Sequence, residues 1–375
     1  MPDLVPAAVR RAARRALPAL AALPLLIGAL GACGYGSERD EDPAGRSKAT
    51  TGGKLSVDTV RIGYFPNITH ATPLVGDHEG LLQKELGGTK LRSTTFNAGP
   101  SEIEALNAGS VDIGWIGPSP AINGYVKSKG KSLRIISGSA SGGVKLVVDP
   151  KKISSLDDVE GKRIATPQKG NTQDVAFLDW AAGKGWKVDP QSGKGDVSVV
   201  RTDNKVIPDA FKSGSVDGAW VPEPTASKLV SEGGKVLLDE AALWPGGKFV
   251  ITNVIVSQKF LDEHPDVVEA VLRGSVRANA WIKADPARAK ASANAALKKL
   301  SGRALPAAVL DPAWQSIEVT DDPLAATLRT GADHAVRAGL LEKPDLSGIY
   351  DLTPLNKVLR AEGRPPVDAA RLGKQ

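Results

Sequence analysis

From residue 57 onward, short apolar runs alternate with stretches whose apolar positions recur at helical spacing. Residues 60–65 form a strand-like run followed by a Pro-Asn loop, and residues 72–86 carry a helical pattern. Residues 90–96 are strand-like, 101–108 helical and 111–116 strand-like again. A second set repeats the rhythm, with strands at 163–165, 197–201 and 218–221 and helices at 172–182 and 206–212. Two apolar, β-branched segments, 144–148 and 249–256, flank this second set and read as connecting strands. Such alternation predicts an α/β fold with largely parallel sheets. The last third is mainly helical. His264-Pro265-Asp266 starts a helix whose stripe is Val268, Val271, Leu272, Trp281 and Ile282, and 287–300 reads as a solvated packing helix.

An internal repeat sharpens this picture. Residues 104–115 match residues 209–220 at a constant offset of 105, with Ala, Gly, Ser, Val, Asp and Trp identical. Each copy spells a helix, a glycine stop, a turn, a strand and a tryptophan, and a proline-containing turn follows. Two copies alone suggest two α/β lobes rather than a solenoid.

Composition excludes several classes. Of 375 residues, 41% are hydrophobic and 24% charged, which rules out bulk disorder. The net charge of +6 is concentrated at the start, where the first fifteen residues hold four arginines against one aspartate and leave +3 for the rest. That is too mild to suggest nucleic-acid binding. The single cysteine excludes a disulfide framework and a thiolate-rich metal site. The four histidines, His70, His78, His264 and His334, have no metal-ligand spacing. Gly130-Lys131-Ser132 has Tyr125 where a phosphate-binding loop needs glycine, so no nucleotide site is read, and no cofactor is expected.

The cysteine's position carries information. Arg10, Arg11, Arg14 and Arg15 precede an apolar stretch, 16–31, too short and too interrupted by Pro18 and Pro24 to span a bilayer. It ends Leu30-Gly31-Ala32-Cys33, which resembles a bacterial lipobox. That resemblance implies removal of residues 1–32, acylation of Cys33 and anchoring on the extracytoplasmic face of the cell membrane. A plain signal peptide with a chance cysteine is the alternative, and either the general or the twin-arginine route fits. Residues 33–55, rich in Gly, Ser, Thr, Asp and Glu, read as the acylated residue and a flexible tether.

Five blocks resemble the solute-binding proteins of bacterial ABC importers, in the nitrate, sulfonate and taurine branch. They are 63–71, 96–112, 115–121, 165–174 and 220–224. The resemblance implies a two-lobed periplasmic-binding-protein-like fold of type II. Residues 56–147 with 252–375 would form one lobe and 148–251 the other, closing about the crossing strands. It implies a monomeric, non-enzymatic protein that captures a small organosulfonate or related anion or zwitterion for a membrane permease and its ATPase subunit. Nitrate, bicarbonate or a thiamin-type pyrimidine are the alternative ligands, sensing is an alternative to import, and an enzyme of the pyrimidine-synthase-like relatives is the rival class.

Anions are held without fixed positive charge by backbone N–H groups at helix starts and glycine turns, each helix terminus contributing about 0.3–1 kcal/mol. In α/β sheets such turns cluster beyond the carboxyl ends of the strands. The candidates are Asn67, Thr69 and His70 in one turn, and Gly99 with Ser101 in a second. Pro118 with Ser119, Ser141 with Gly142, and Gly170, Asn171 and Thr172 supply the others. Trp220 is either a cleft wall or, like its repeat partner Trp115, a core anchor. Glu223 either pairs with a ligand ammonium, as taurine would offer, or caps a helix.

Overall fold

The computed structural model describes residues 54–374. Cys33, the leader and nearly all of the tether lie outside the described residues. Eleven strands among the described residues build two sheets. In chain order they are β1 (Thr59–Tyr64), β2 (Lys90–Thr95), β3 (Ile113–Ile116), β4 (Leu133–Gly142), β5 (Val144–Val148) and β6 (Arg163–Thr166). Then come β7 (Ser198–Arg201), β8 (Gly218–Pro222), β9 (Lys235–Asp239), β10 (Val250–Ser257) and β11 (Ile317–Val319). The first sheet runs β2-β1-β3-β10-β4-β11 and the second β7-β6-β8-β5-β9.

The two sheets share one plan. Three parallel strands lead in each, β2-β1-β3 and β7-β6-β8. The fourth, β10 or β5, runs antiparallel and arrives from the other sheet. The sheets are therefore mixed rather than largely parallel, because a strand that returns from the opposite lobe meets its new neighbours head to tail. The chain crosses at Gly143, between β4 and β5, and again between β9 and β10, close to the two segments read as connectors.

The sequence repeat has a physical cause in this plan. Its glycines, Gly109 and Gly214, take φ of +68° and +71° where a helix stops, a conformation that costs glycine little. Its aspartates hold the start of the neighbouring strand. Asp112 accepts from the backbone N and the guanidinium of Arg61, and Asp217 does the same for Arg163. Its tryptophans, Trp115 and Trp220, are fully buried.

One stretch departs from expectation. The composition places Ser141 and Gly142 in a turn, yet both belong to β4 and pair with β10 and β11. The small residues there answer to close packing: a side chain on Gly138 would collide with the Asp322 backbone. Only Gly142 and Gly143, with φ of +80° and +76°, turn the chain toward β5.

Candidate functional site

The parallel strands of both sheets end at a common place. After β1 come Phe65, Asn67, Thr69 and His70, after β2 Asn97, and after β3 Gly117. From the second sheet come Asn171, Thr172 and Gln173 after β6, Asn204 after β7 and Pro222 at the end of β8. They enclose a chamber of about 20 Å³, roughly the room one water needs. A groove of about 530 Å³ adjoins it and shares Phe65, Asn67, Asn97 and Asn204.

None of the described residues lining the chamber is a lysine, arginine, aspartate or glutamate. Its polar groups are oriented by their neighbours. Thr69 Oγ1 donates to Asn67 Oδ1 at 2.7 Å, and its carbonyl accepts from Thr252 Oγ1 at 2.9 Å. His70 is 2% exposed, and its Nδ1 accepts from the Phe65 N–H at 3.2 Å, which leaves Nε2 carrying hydrogen. Burial pushes its imidazole down to about 3, so the ring is a neutral donor.

Three helices of eight or more residues start at the chamber, the first of them Ala71–His78 with His70 as its N-cap. Gly117 is the N-cap of Pro118–Lys127, and Asn171 that of Thr172–Gly183. Thr172 is 8% exposed, and its Oγ1 is buried without a hydrogen-bond partner. The loop before it is pinned by Asp174, which accepts from Thr166 Oγ1, Gly170 N and Arg201 Nε, each at 2.9 Å. Such a surrounding of oriented neutral donors at helix starts suits the head of a small oxyanion once the lobes part enough to admit more than one water.

The sequence candidates divide. Asn67, Thr69, His70, Asn171 and Thr172 line the chamber, and the Gly99 N–H donates to Asn171 Oδ1 at 3.3 Å. Ser101 Oγ instead donates to the Ala98 carbonyl, while Pro118 and Ser119 lie in the first turn of their helix and Gly170 in the pinned loop. Ser141 Oγ accepts from the Phe249 N–H, and Gly142 lies against Ser316.

Trp220 is a core residue, not a cleft wall. It packs with Phe177 and Trp180 and donates through Nε1 to Glu240 at 2.7 Å. Glu223 is fully buried and holds Lys145 at 2.6 Å while accepting the Ser227 N–H at 3.0 Å. Glu223 thus takes up an N–H in the first turn of helix Thr225–Ser231, whose N-cap is Pro224, and its other oxygen is committed to Lys145. Sequence reasoning missed Phe65, Asn97, Gly117, Gln173, Asn204, Pro222 and Ile251 as lining residues. Asn97 and Gly117 had a signal, since each follows the end of a parallel strand. Asn204 had none.

The description of the NMT1-like family matches residues 53–297. The taurine-binding periplasmic protein of Escherichia coli (strain K12) is 31% identical over 219 residues, covering 58% of this chain and 65% of that protein, just under two thirds of its length. A putative aliphatic sulfonates-binding protein of Bacillus subtilis (strain 168) is 26% identical over 340 residues, 84% of this chain and 92% of that protein. The alkanesulfonate-binding protein of Xanthomonas axonopodis pv. citri, solved bound to MOPS, shares the two-lobed α/β fold with a TM-score of 0.62 at 24% identity. That match covers 76% of this chain and 95% of the other. With well over half its length matched, and with two crossing-strand sheets meeting at a cleft, the chain belongs to the NMT1-like family.

Proposed function

We propose that this chain is the extracytoplasmic solute-binding component of an ABC importer, and that it captures a small organosulfonate between its lobes for delivery to a membrane permease. The observation that carries this reading is the uncharged chamber where three helices start, with the unpartnered Thr172 Oγ1 beside it. A sulfonate head has three acceptor oxygens and no donor, which fits donors from backbone, hydroxyl and a neutral imidazole. The adjoining groove favours an anion with an organic body over bare nitrate or bicarbonate. The names of the relatives point the same way, to binding rather than turnover. Residues 56–147 with 252–375 and residues 148–251 serve as the two closing lobes. Lipidation at Cys33 would hold the monomer at the membrane, and the ATPase subunit would supply the energy.

The test is the thermal midpoint of the chain against taurine, short alkanesulfonates, nitrate, bicarbonate, sulfate and a thiamin-type pyrimidine. A ligand at 100 times its dissociation constant adds about 2.7 kcal/mol to folding, visible as a raised midpoint. Sulfonates alone should raise it. A shift with nitrate or the pyrimidine and none with sulfonates would overturn the assignment.

A further inference from the structure

Most glycines that matter in this chain are explained by positive φ, but Gly117 is not. It has φ −67° and ψ 156°, a conformation any residue adopts without strain. The constraint is the space around it. A methyl group built on Gly117 would stand 2.4 Å from Thr172 Oγ1 and 3.4 Å from Thr172 Cβ. Gly117 follows β3 of the first sheet, and Thr172 opens the helix after β6 of the second. The missing side chain therefore lies at the seam between the lobes. A hydrogen bond crosses the same seam beside it, from the Gly99 N–H to Asn171 Oδ1.

We infer that Gly117 is a positioning residue for solute capture. Its bare Cα lets the starts of helices Pro118–Lys127 and Thr172–Gly183 meet, which fixes how far the lobes close and where Thr172 Oγ1 stands. A methyl at position 117 leaves two responses. Either Thr172 rotates about its stiff β-branched χ1 and carries the hydroxyl away from its place beside the chamber, or the lobes part. Both weaken retention of an anion head. Steric demand across the seam is thus a determinant of affinity separate from any hydrogen bond to solute. The inference rests on the chamber being the solute site, and its test separates the two.

The experiment uses the full chain with Cys33→Ser, spin-labelled at Lys90→Cys in the first lobe and Lys212→Cys in the second, both exposed positions. Pulsed electron resonance reads the interlobe distance without ligand and with saturating methanesulfonate, pentanesulfonate or taurine. Calorimetry on the unlabelled chain reads affinity. Gly117→Ala should weaken sulfonate binding by tenfold or more, with a longer mean distance where the lobes part and an unchanged one where Thr172 rotates. In a Thr172→Ala background the clashing oxygen is gone, so the same change should cost less than threefold. Thr172→Val keeps the bulk and should hold the wild-type distance while losing affinity. Thr172→Met enlarges the contact from the other lobe and should mimic Gly117→Ala, which covers the case in which Gly117→Ala does not fold. Unchanged distance and affinity in Gly117→Ala, or an equal cost with and without Thr172, would overturn the inference. If no sulfonate binds the wild type, the functional reading fails, and the ligand-free distances still decide whether a methyl at 117 parts the lobes.

Discussion

His70 and Glu102 are both buried, and each resists the charge its solution chemistry would give it. His70 is held near 3 by burial, so it does not gain a proton between pH 5 and 8. Sulfonate affinity measured by calorimetry at pH 5.5, 6.5 and 8 should therefore stay constant. A tenfold gain on acidification that vanishes in His70→Gln would mean that an imidazolium holds the anion. The same group makes stability depend on pH. Below about 6.5 the unfolded chain takes up a proton that the native one refuses, so stability falls as pH drops through that value. Glu102 acts in the opposite sense. Both its oxygens lack partners, and the carboxyl lies in a notch made by Gly63 and Gly114, paired across β1 and β3. Burial pushes it well above the usual carboxylate range. Its contribution is complete below about 4.5 and is lost as pH rises, because only the unfolded chain then ionises. Replacing this unsatisfied acid by Glu102→Met should stabilise the protein by about 1–3 kcal/mol at pH 7, with less gain at pH 4. Urea midpoints at both pH values check this, and a destabilised variant would refute it.

At the scale of elements, the repeat was the most legible feature, and its meaning proved architectural. Each lobe needs a strand start anchored beside a helix stop, and Asp112 with Arg61 and Asp217 with Arg163 provide it twice. The hydrogen bonds from Arg163 and Lys152 hold the Asp217 carboxyl far below its ordinary range, against the opposing effect of burial. Its stabilisation is present above about 3.8 and is lost as pH falls toward the native value. Asp217→Asn should cost about 1.5–3 kcal/mol of stability, the range for hydrogen bonds to a charged group, with affinity nearly unchanged. Asp112→Asn should behave alike in the other lobe, and the two costs should add. Loss of binding at full stability would instead place these aspartates in the solute site. Strands β1, β3, β6 and β8 were readable because apolar segments bounded by turns mark them. Strand β4 was only half readable. Its start, Leu133 to Ile136, is apolar, but Ser137 to Gly142 carries the composition of a turn. Those residues stay extended because β10 and β11 flank them, and a single sequence does not reveal its neighbours.

At the scale of the molecule, the same limit applies to the groove beside the chamber. The helix Pro286–Ser301 was read as a solvated packing element, and Ala289, Ala293 and Leu297 are indeed buried on its inner side. The fold also carries its last turn to the mouth of the cleft. There Leu297, Leu300 and Leu305 join Phe65 and Phe96 as the apolar part of the groove, with Lys205, Lys228 and Asp203 around it. No local pattern could show that residues near 300 would stand beside residues near 65. This wall bears on which sulfonate the cleft prefers. Taurine carries an ammonium two carbons from its sulfonate, and Glu223, the acid that suggested it, is buried against Lys145. With two lysines to one aspartate along the groove, an ammonium gains little there, whereas each methylene laid on the leucines contributes about 0.8 kcal/mol when fully buried. Under the organosulfonate reading, pentanesulfonate should therefore bind at least tenfold more tightly than taurine or methanesulfonate. Leu300, 42% exposed, can be changed without opening the core. Leu300→Glu should erase most of that advantage while methanesulfonate affinity stays within twofold, because the chamber itself is untouched. Calorimetry with the three sulfonates on both proteins separates the outcomes: equal losses for long and short ligands would mean that the leucine supports the fold of the cleft rather than the body of the solute.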